Sequence, residues 1–385
     1  LGEEARRERP LLADALEPIA TLSVLRATRS SGYARAAFRI DTTRGDVPEI
    51  AVRVLRSVYD PVGGPWASPA RPLEAPAADG VTVGRGSLPW DREAGGAVVW
   101  DRNLPRSHRD VVLARLRERA EMGLIEREGG EDAKTPESLA AAWRELLEAG
   151  VDRDGSLWAA GGGTITDLAG LLADTYKRGI TLRLLPTTLV GQLDAALGGK
   201  NGINVDSHKN QVGTIRLPAG VHLDPLFLLT LDPVDARGGL SEAVKSGLIG
   251  DPELVDLLEE RAAEAAAMAL PLLEEVIGRA ARVKLEIVAR DLEERDERRK
   301  LNLGHTFGHA LEAVAARRGE TLPHGDAVAI GMVGAARLAR RVGELEDPAL
   351  PDRLEALLGR LGLPAGGVAG NDREAVSEAL AKDKK

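Results

Sequence analysis

The feature that most limits how this chain can fold is a change of periodicity near Pro233. Before it, short apolar runs such as Gly95–Asp101 (GGAVVWD) and Thr181–Pro186 (TLRLLP) alternate with helical patterns, as expected of buried parallel strands joined by helices. Beyond it strand signals fade, and long helices rich in Ala, Leu, Glu and Arg take over. A parallel sheet needs helices on its faces, so the first part reads as an α/β unit and the second as an all-helical one. The 385 residues suffice for two or three domains and a sizeable core.

Composition excludes several classes of function. The formal charge of −9, with no Lys/Arg block and 3% aromatics, argues against a nucleic-acid binder, while local Lys and Arg can still hold a small anion. Zero cysteines exclude a disulfide scaffold and a thiol nucleophile, and fit a reducing cytoplasm. No apolar run approaches the roughly 18 residues of a membrane span, and no signal peptide is visible.

Four segments follow in order. Residues 1–60 carry a small block of helix, helix, strand and helix, and Pro61–Gly80 is a Pro/Ala/Gly linker. Residues 81–232 form the α/β unit and 233–385 the helical one. Helices are expected over Ser107–Met122, with Ser107 as N-cap, and over Pro136–Ala149, with Glu131 and Lys134 in the loop between them. The strand before Gly161-Gly162-Gly163 runs into a helix, so a diphosphate could approach backbone N–H groups there, or the glycines could merely turn the chain. Asp167 could accept hydrogen bonds from a cofactor or a loop. Asp194–Asn210 (DAALGGKNGINVDSHKN) suits a phosphorylated polyol by its Lys, Asn and Asp content, and composition alone equally fits a solvated loop.

The densest chemistry lies in Leu301–Gly325, which holds three of the six histidines. His305 and His309, four apart, project from one face of a helix, and His324 follows after a loop. Without thiolates a transition metal must be held by imidazole and carboxylate, which suits zinc with an open coordination position. A lone HxxxH pair is also common as plain surface or core histidine, so the neighbours decide.

Those neighbours carry a resemblance. GGGxxxD, Thr175-Tyr176-Lys177-Arg178-Gly179, PTTL, DxxxGGK, KN, EAVKSG, NLGHTFGHALE and HGDAVAIGM occur in the order found in 3-dehydroquinate synthases of the sugar-phosphate cyclase superfamily, from about Gly80 onward. The resemblance implies an α/β N-terminal Rossmann-like NAD-binding domain, an all-α C-terminal metal-binding domain, a cleft between them and a homodimer. It implies that Glu242, His305 and His324 ligate Zn2+ (or Co2+), leaving His309 beside the substrate. It carries Asp194, Lys200, Lys209, Asn210, Lys245, Lys284, Arg298, Asn302 and His309 onto substrate-binding positions, and Arg178 onto one that reaches a phosphate from the partner subunit. For NAD the matching positions are Asp101, Asn103, Glu131, Lys134, Gly161, Gly162, Gly163, Asp167, Thr187, Thr188 and Thr230.

The implied substrate is a phosphorylated sugar acid, 3-deoxy-D-arabino-heptulosonate 7-phosphate, and the products are 3-dehydroquinate and phosphate. The implied steps are transient oxidation at C5, phosphate elimination, return of the hydride, ring opening and aldol closure. Asn201 and Asp206-Ser207-His208 depart from the usual GGKTG and PLGKN, and HKN looks more like cyclases acting on sedoheptulose 7-phosphate. A metal-dependent NAD polyol dehydrogenase would share the two-domain plan without needing the cluster of lysines. Asp383-Lys384-Lys385 resembles a DKK motif whose Lys contacts phosphate. Residues 9–60 resemble the C-terminal part of shikimate kinase, through Arg9-Pro10-Leu11-Leu12, Arg29 with Tyr33 and Ile40-Asp41-Thr42, although the chain has no GxxxxGK[ST] loop. Shikimate kinase and dehydroquinate synthase belong to one pathway, so the block reads either as part of a bifunctional fusion or as a remnant used for packing.

Overall fold

The computed structural model describes residues 70–85, 95–118, 120–206, 208–366 and 373–382. The kinase-like block and the DKK motif lie outside the described residues. In chain order the α/β part comprises β1 (Arg71–Pro72), β2 (Val81–Val83), β3 (Gly96–Asp101), α1 (Arg106–Arg117), β4 (Met122–Arg127), α2 (Pro136–Glu148), β5 (Ser156–Gly161), α3 (Gly163–Thr175), β6 (Thr181–Pro186), α4 (Leu189–Leu193), β7 (Lys200–Val205), β8 (His208–Ile215) and β9 (Gly220–Leu223). The helical part comprises α5 (Pro233–Gly238), α6 (Leu240–Gly250), α7 (Pro252–Glu260), α8 (Ala262–Ala266), α9 (Leu270–Arg290), α10 (His305–Arg317), α11 (His324–Val342), α12 (Leu350–Arg360) and α13 (Arg373–Lys382). No described helix is long and apolar enough to cross a membrane.

Seven strands form one sheet in the order β1-β2-β9-β6-β5-β3-β4. Only the β1–β2 pair is antiparallel. Every residue of β3 and β5 is buried, which is why their sequences read as continuous apolar runs rather than alternating ones. From β3 the chain turns outward to β4, while β5 lies on the opposite side of β3. Their carboxyl ends therefore flank a topological switch point, where an open α/β sheet leaves a crevice for a ligand.

One continuous apolar core joins sheet and helices, including Leu182 and Leu184 of β6, Leu189 of α4, Val244 of α6, Ile277 of α9 and Val328 of α11. Two glycine contacts set the approach of the helices that carry the histidines. Gly304 adopts φ +82°, and a Cβ there would lie 2.7 Å from Val328 O, so the chain turns into α10 hard against α11. At Gly325 a Cβ would lie 2.2 Å from Gly238 O, so the first turn of α11 packs backbone to backbone on α5.

Several local expectations differ from the structure. Helix α1 starts after Pro105 and contains Ser107, and it ends at Arg117. The helix expected to reach Met122 stops five residues earlier, and Met122 instead opens the strand Met122–Arg127, which pairs in parallel with β3 from Gly96↔Met122 onward. The linker expected to reach Gly80 is partly built in, since β1 pairs with β2 and Leu73 is buried. The polar stretch around Lys200–Asn210 is no plain loop but the start of a hairpin, β7–β8, with a register shift between Ile203 and Val205.

Candidate active site

The glycine turn stands at the carboxyl end of β5. Gly162, in extended conformation, is the N-cap of α3 and Gly163 its first residue. Cβ atoms at Gly161 and Gly162 would lie 2.5 Å from Ile165 Cβ and 3.1 Å from Thr188 Cγ2, so only glycine lets the backbone close this tightly. Thr187 N donates to Gly161 O at 3.0 Å, and Thr188 caps α4 by accepting from Gly191 N at 3.0 Å. Across the switch point, Asp101 Oδ1 accepts from Asn103 N at 2.9 Å and Gly129 N at 3.1 Å. These expected cofactor positions thus converge on the crevice. Thr230 is exposed at the end of a 3-10 turn, its hydroxyl donating to Phe227 O.

Beside the turn, the buried Lys134 Nζ donates to Asp167 Oδ2 and Asn210 Oδ1, both at 2.6 Å. Burial raises the Asp167 carboxyl to about 6, against the pull of Lys134. Asn204 ties the same region to the hairpin, donating to Glu131 Oε1 at 2.8 Å and accepting from Asn210 N at 2.9 Å. Asn210, expected among the substrate residues, therefore sits with Lys134 and Glu131, two expected cofactor residues.

The helical part supplies a metal-competent set. Glu242 of α6, His305 of α10 and His324 of α11 offer ligand atoms within 4.8 Å of one another. His305 Nε2 lies 3.6 Å and His324 Nε2 3.9 Å from Glu242 Oε1. That oxygen is buried without a hydrogen-bond partner among the described residues. An orphaned buried carboxylate oxygen facing two imidazole nitrogens fits a divalent cation, because otherwise its desolvation is uncompensated. Burial pushes His305 down to about 4, which keeps it neutral and able to ligate at pH 7. Its Nδ1 lies 3.4 Å from Leu303 O, and His324 Nδ1 lies 3.2 Å from Glu312 Oε1, leaving both Nε2 atoms toward the set. The His309 ring sits 5.4 Å from that of His305 and 6.2 Å from that of His324, beside the set.

Next to the set runs a chain of buried charges. Lys245 Nζ pairs with Glu242 Oε2 and lies 4.0 Å from Asp194 Oδ1, to which Lys284 Nζ also donates. Burial works to raise the Asp194 carboxyl, but the Lys284 and Lys245 ammonium groups outweigh it and hold it well below the usual range. Burial lowers Lys284, and it works against the charge on Lys245 too, where the Glu242 and Asp194 carboxylates prevail and raise it. Arg298, fully buried, donates to Gly198 O at 2.8 Å and Leu292 O at 2.6 Å, so its guanidinium holds backbone beside Lys284. Lys200 is exposed and pairs with Glu294, which also accepts from Asn302 Nδ2 at 2.8 Å. Lys209 is exposed on β8, and its charge acts on Glu312.

Arg178 is not brought to this site within one chain. At about 1.5 Å per residue, the thirteen residues of α3 put it about 20 Å from the glycine turn. Lys177 and Arg178 both take left-handed conformations, φ 47° and 66°. The departure Asn201 faces away from the site as well, donating to Asp174 Oδ2 at 3.2 Å and Arg216 O at 3.2 Å, where it anchors the hairpin to the far end of α3. Glu312, Glu294 and Asn204 hold expected site residues; of these the sequence marks only Glu294, which leads with Arg298 and Asn302 into the histidine stretch at four-residue steps. For Glu312 the signal was present in its spacing, three residues after His309 and seven after His305 on one helix face.

A glycine turn at a sheet switch point, sharing one core with a helical unit that carries a carboxylate–imidazole set, defines a two-domain class. The fold is shared with a maleylacetate reductase from Rhizobium sp. strain MTP-10005, at 18% identity and TM-score 0.51, covering 76% of this chain and 84% of that one. The family 3-dehydroquinate synthase N-terminal matches residues 124–237, and 3-dehydroquinate synthase C-terminal matches residues 239–385. A 3-dehydroquinate synthase of Synechococcus sp. is 37% identical over 330 residues, 83% of this chain and 88% of that protein. One from Saccharopolyspora erythraea is 43% identical over 236 residues, 60% of this chain and 62% of the relative's length. The chain belongs to the 3-dehydroquinate synthase family. Among solved structures, 2-epi-5-epi-valiolone synthase from Streptomyces hygroscopicus subsp. jinggangensis, with NAD+ and Zn2+ bound, is 33% identical at TM-score 0.67, covering 75% of this chain and 80% of that one. A 2-deoxy-scyllo-inosose synthase with carbaglucose-6-phosphate, NAD+ and Co2+ gives 27% and TM-score 0.69, covering 77% and 80%.

Proposed function

We propose that this chain acts as a 3-dehydroquinate synthase, converting 3-deoxy-D-arabino-heptulosonate 7-phosphate to 3-dehydroquinate and phosphate with NAD and Zn2+ or Co2+. The observation that carries the reading is the junction of the Glu242–His305–His324 set with the buried Lys245–Asp194–Lys284 chain, in a member of this family. When bound, NAD supplies reversible hydride transfer and the metal polarises the alcohol being oxidised.

The remaining work falls to side chains. Asp194, kept ionised by two ammonium groups, accepts from a substrate hydroxyl, and Lys284 and Lys245 place positive charge beside a polyanionic sugar acid phosphate. Arg298 holds the Gly198 carbonyl and so fixes the turn that carries Asp194 toward Lys200. His309, Lys200, Lys209 and Asn302 orient the phosphate, whose own oxygen takes the proton from the carbon next to the transient ketone. Asp101, Asn103, the glycine turn, Asp167, Thr187 and Thr188 seat NAD in the crevice, with the diphosphate at the N-terminus of α3.

A homodimer, with Arg178 reaching the partner's site, accounts for its distance from this one. Residues 81–232 and 233–385 are the cofactor and metal domains, residues 1–60 descend from a shikimate-kinase-like unit, and the enzyme works in the cytoplasm. Phosphate release from the heptulosonate, compared with sedoheptulose 7-phosphate, tests the reading. Chelator-sensitive release from the first without net NADH is expected. Turnover of the second alone would reassign the chain to another cyclase, and net NADH from a neutral polyol would make it a dehydrogenase.

A further inference from the structure

Of the three residues in the metal-competent set, His324 is the least enclosed, with 39% of its side chain exposed against 13% for His305 and 2% for Glu242. An imidazole so exposed has little packing to settle its ring rotation or tautomer, yet it is useful only when Nε2 is bare and turned toward Glu242. Among the described residues its polar anchor on the other side is Glu312 Oε1, 3.2 Å from Nδ1. Glu312 lies on α10, the helix that carries His305, whereas His324 opens α11, so the contact also locks together the two helices that each bring one imidazole.

Resting on the metal set proposed above, we propose that Glu312 is a positioning residue: by accepting a hydrogen bond from His324 Nδ1–H, it sets the tautomer that leaves Nε2 bare and aims the ring at the site shared with Glu242 and His305. A carboxylate behind a ligating histidine also raises the basicity of the ring, so charge and geometry act in the same direction. A competing arrangement uses the same atoms, because His309, Glu312 and His324 also offer donors within 4.8 Å of one another. For both sets to fill at once, His324 would have to give up both ring protons, which makes orientation the better use of this contact.

The test is metal affinity, read by chelator competition with Zn2+ and by the visible spectrum of the Co2+ form, on the whole chain with wild-type, Glu312→Gln, Glu312→Leu and Glu242→Gln proteins. Gln keeps an acceptor and removes the charge, whereas Leu removes both. One equivalent of metal is expected for wild type, with affinity about 10- to 100-fold weaker in Glu312→Leu, an intermediate loss in Glu312→Gln and an altered Co2+ spectrum in both. Unchanged melting of the metal-free variants would assign the loss to the site rather than to folding. Affinity within twofold of wild type in Glu312→Leu would overturn the proposal while leaving the metal set intact. Two equivalents in wild type falling to one in Glu312→Leu would overturn it in favour of a second cation site. Full metal binding by Glu242→Gln would sink the metal set itself, and this proposal with it.

Discussion

Replacing Lys134 by Met should destabilise the protein by an amount that grows with pH. In the folded chain burial has already raised Asp167 from its ordinary 3.8 to about 6. A carboxyl so raised binds more protons folded than unfolded between those two values, so its contribution to stability falls as pH rises through that window. At pH 7 the penalty is about 3 kcal/mol even with Lys134 present. Without Lys134 the carboxyl would stay protonated, and the penalty reaches its ceiling, which at pH 7 is about 4.4 kcal/mol for a group with the ordinary value unfolded. The ionisation part of the loss is therefore about 1.4 kcal/mol at pH 7 and close to zero at pH 5.

Two charge-assisted hydrogen bonds, to Asp167 and Asn210, are lost at every pH, offset in part because Lys134 no longer has to be buried; together they cost about 1–3 kcal/mol. The total at pH 7 is about 2–4 kcal/mol. Denaturant unfolding followed by tryptophan fluorescence reads it, since Trp100 and Trp158 are buried on β3 and β5 and become exposed when the sheet unfolds. Adding Asp167→Asn should remove the pH-dependent part and recover part of the loss. A loss identical at pH 5 and 7, or one that Asp167→Asn leaves untouched, would refute the reasoning.

Arg298→Met should lower stability by about 2–4 kcal/mol, because two buried carbonyls lose a charged donor, and should raise KM; a KM change with unaltered unfolding would show that the guanidinium serves substrate alone. Gly325→Ala places a Cβ 2.2 Å from Gly238 O, so about 1–3 kcal/mol should be lost together with zinc affinity as the first turn of α11 shifts, read by thermal melts and chelator competition. Gly161→Ala drives a Cβ to 2.5 Å from Ile165, and NAD titration should show weaker binding with a similar stability loss; unchanged NAD affinity would place the cofactor elsewhere.

Much of the architecture was legible because local pattern and final environment agree. The apolar runs of β3 and β6, the helix capped by Thr135 and the break near Pro233 each report a period or a cap that tertiary packing leaves intact. Where packing overrides the local pattern, the sequence reads differently. Met122 ends a helix-like stretch by its sequence and instead opens a strand because β3 offers it a parallel edge, and Lys200–Asn210 looks like solvated loop until β7 lies on α3. Arg298 shows the same limit at the level of one side chain. The family resemblance implies that it binds a substrate carboxylate, while the carbonyls it serves in the fold lie 100 and 6 residues away.

Residue types and spacings limited the kind of chemistry to imidazole and carboxylate for any metal without thiols, and the order of the motifs, through the family resemblance, chose a phosphate reading for the glycine turn and an anion reading for the lysines. Tertiary structure decided what spacing cannot encode. Glu242, His305 and His324 come from three helices, and their separation depends on backbone contacts at Gly304 and Gly325 that admit no side chain. Which nitrogen of His324 faces the site depends on Glu312, on another helix. A sequence pattern fixes the face of its own helix, but the meeting of faces from different helices is a property of the packed core.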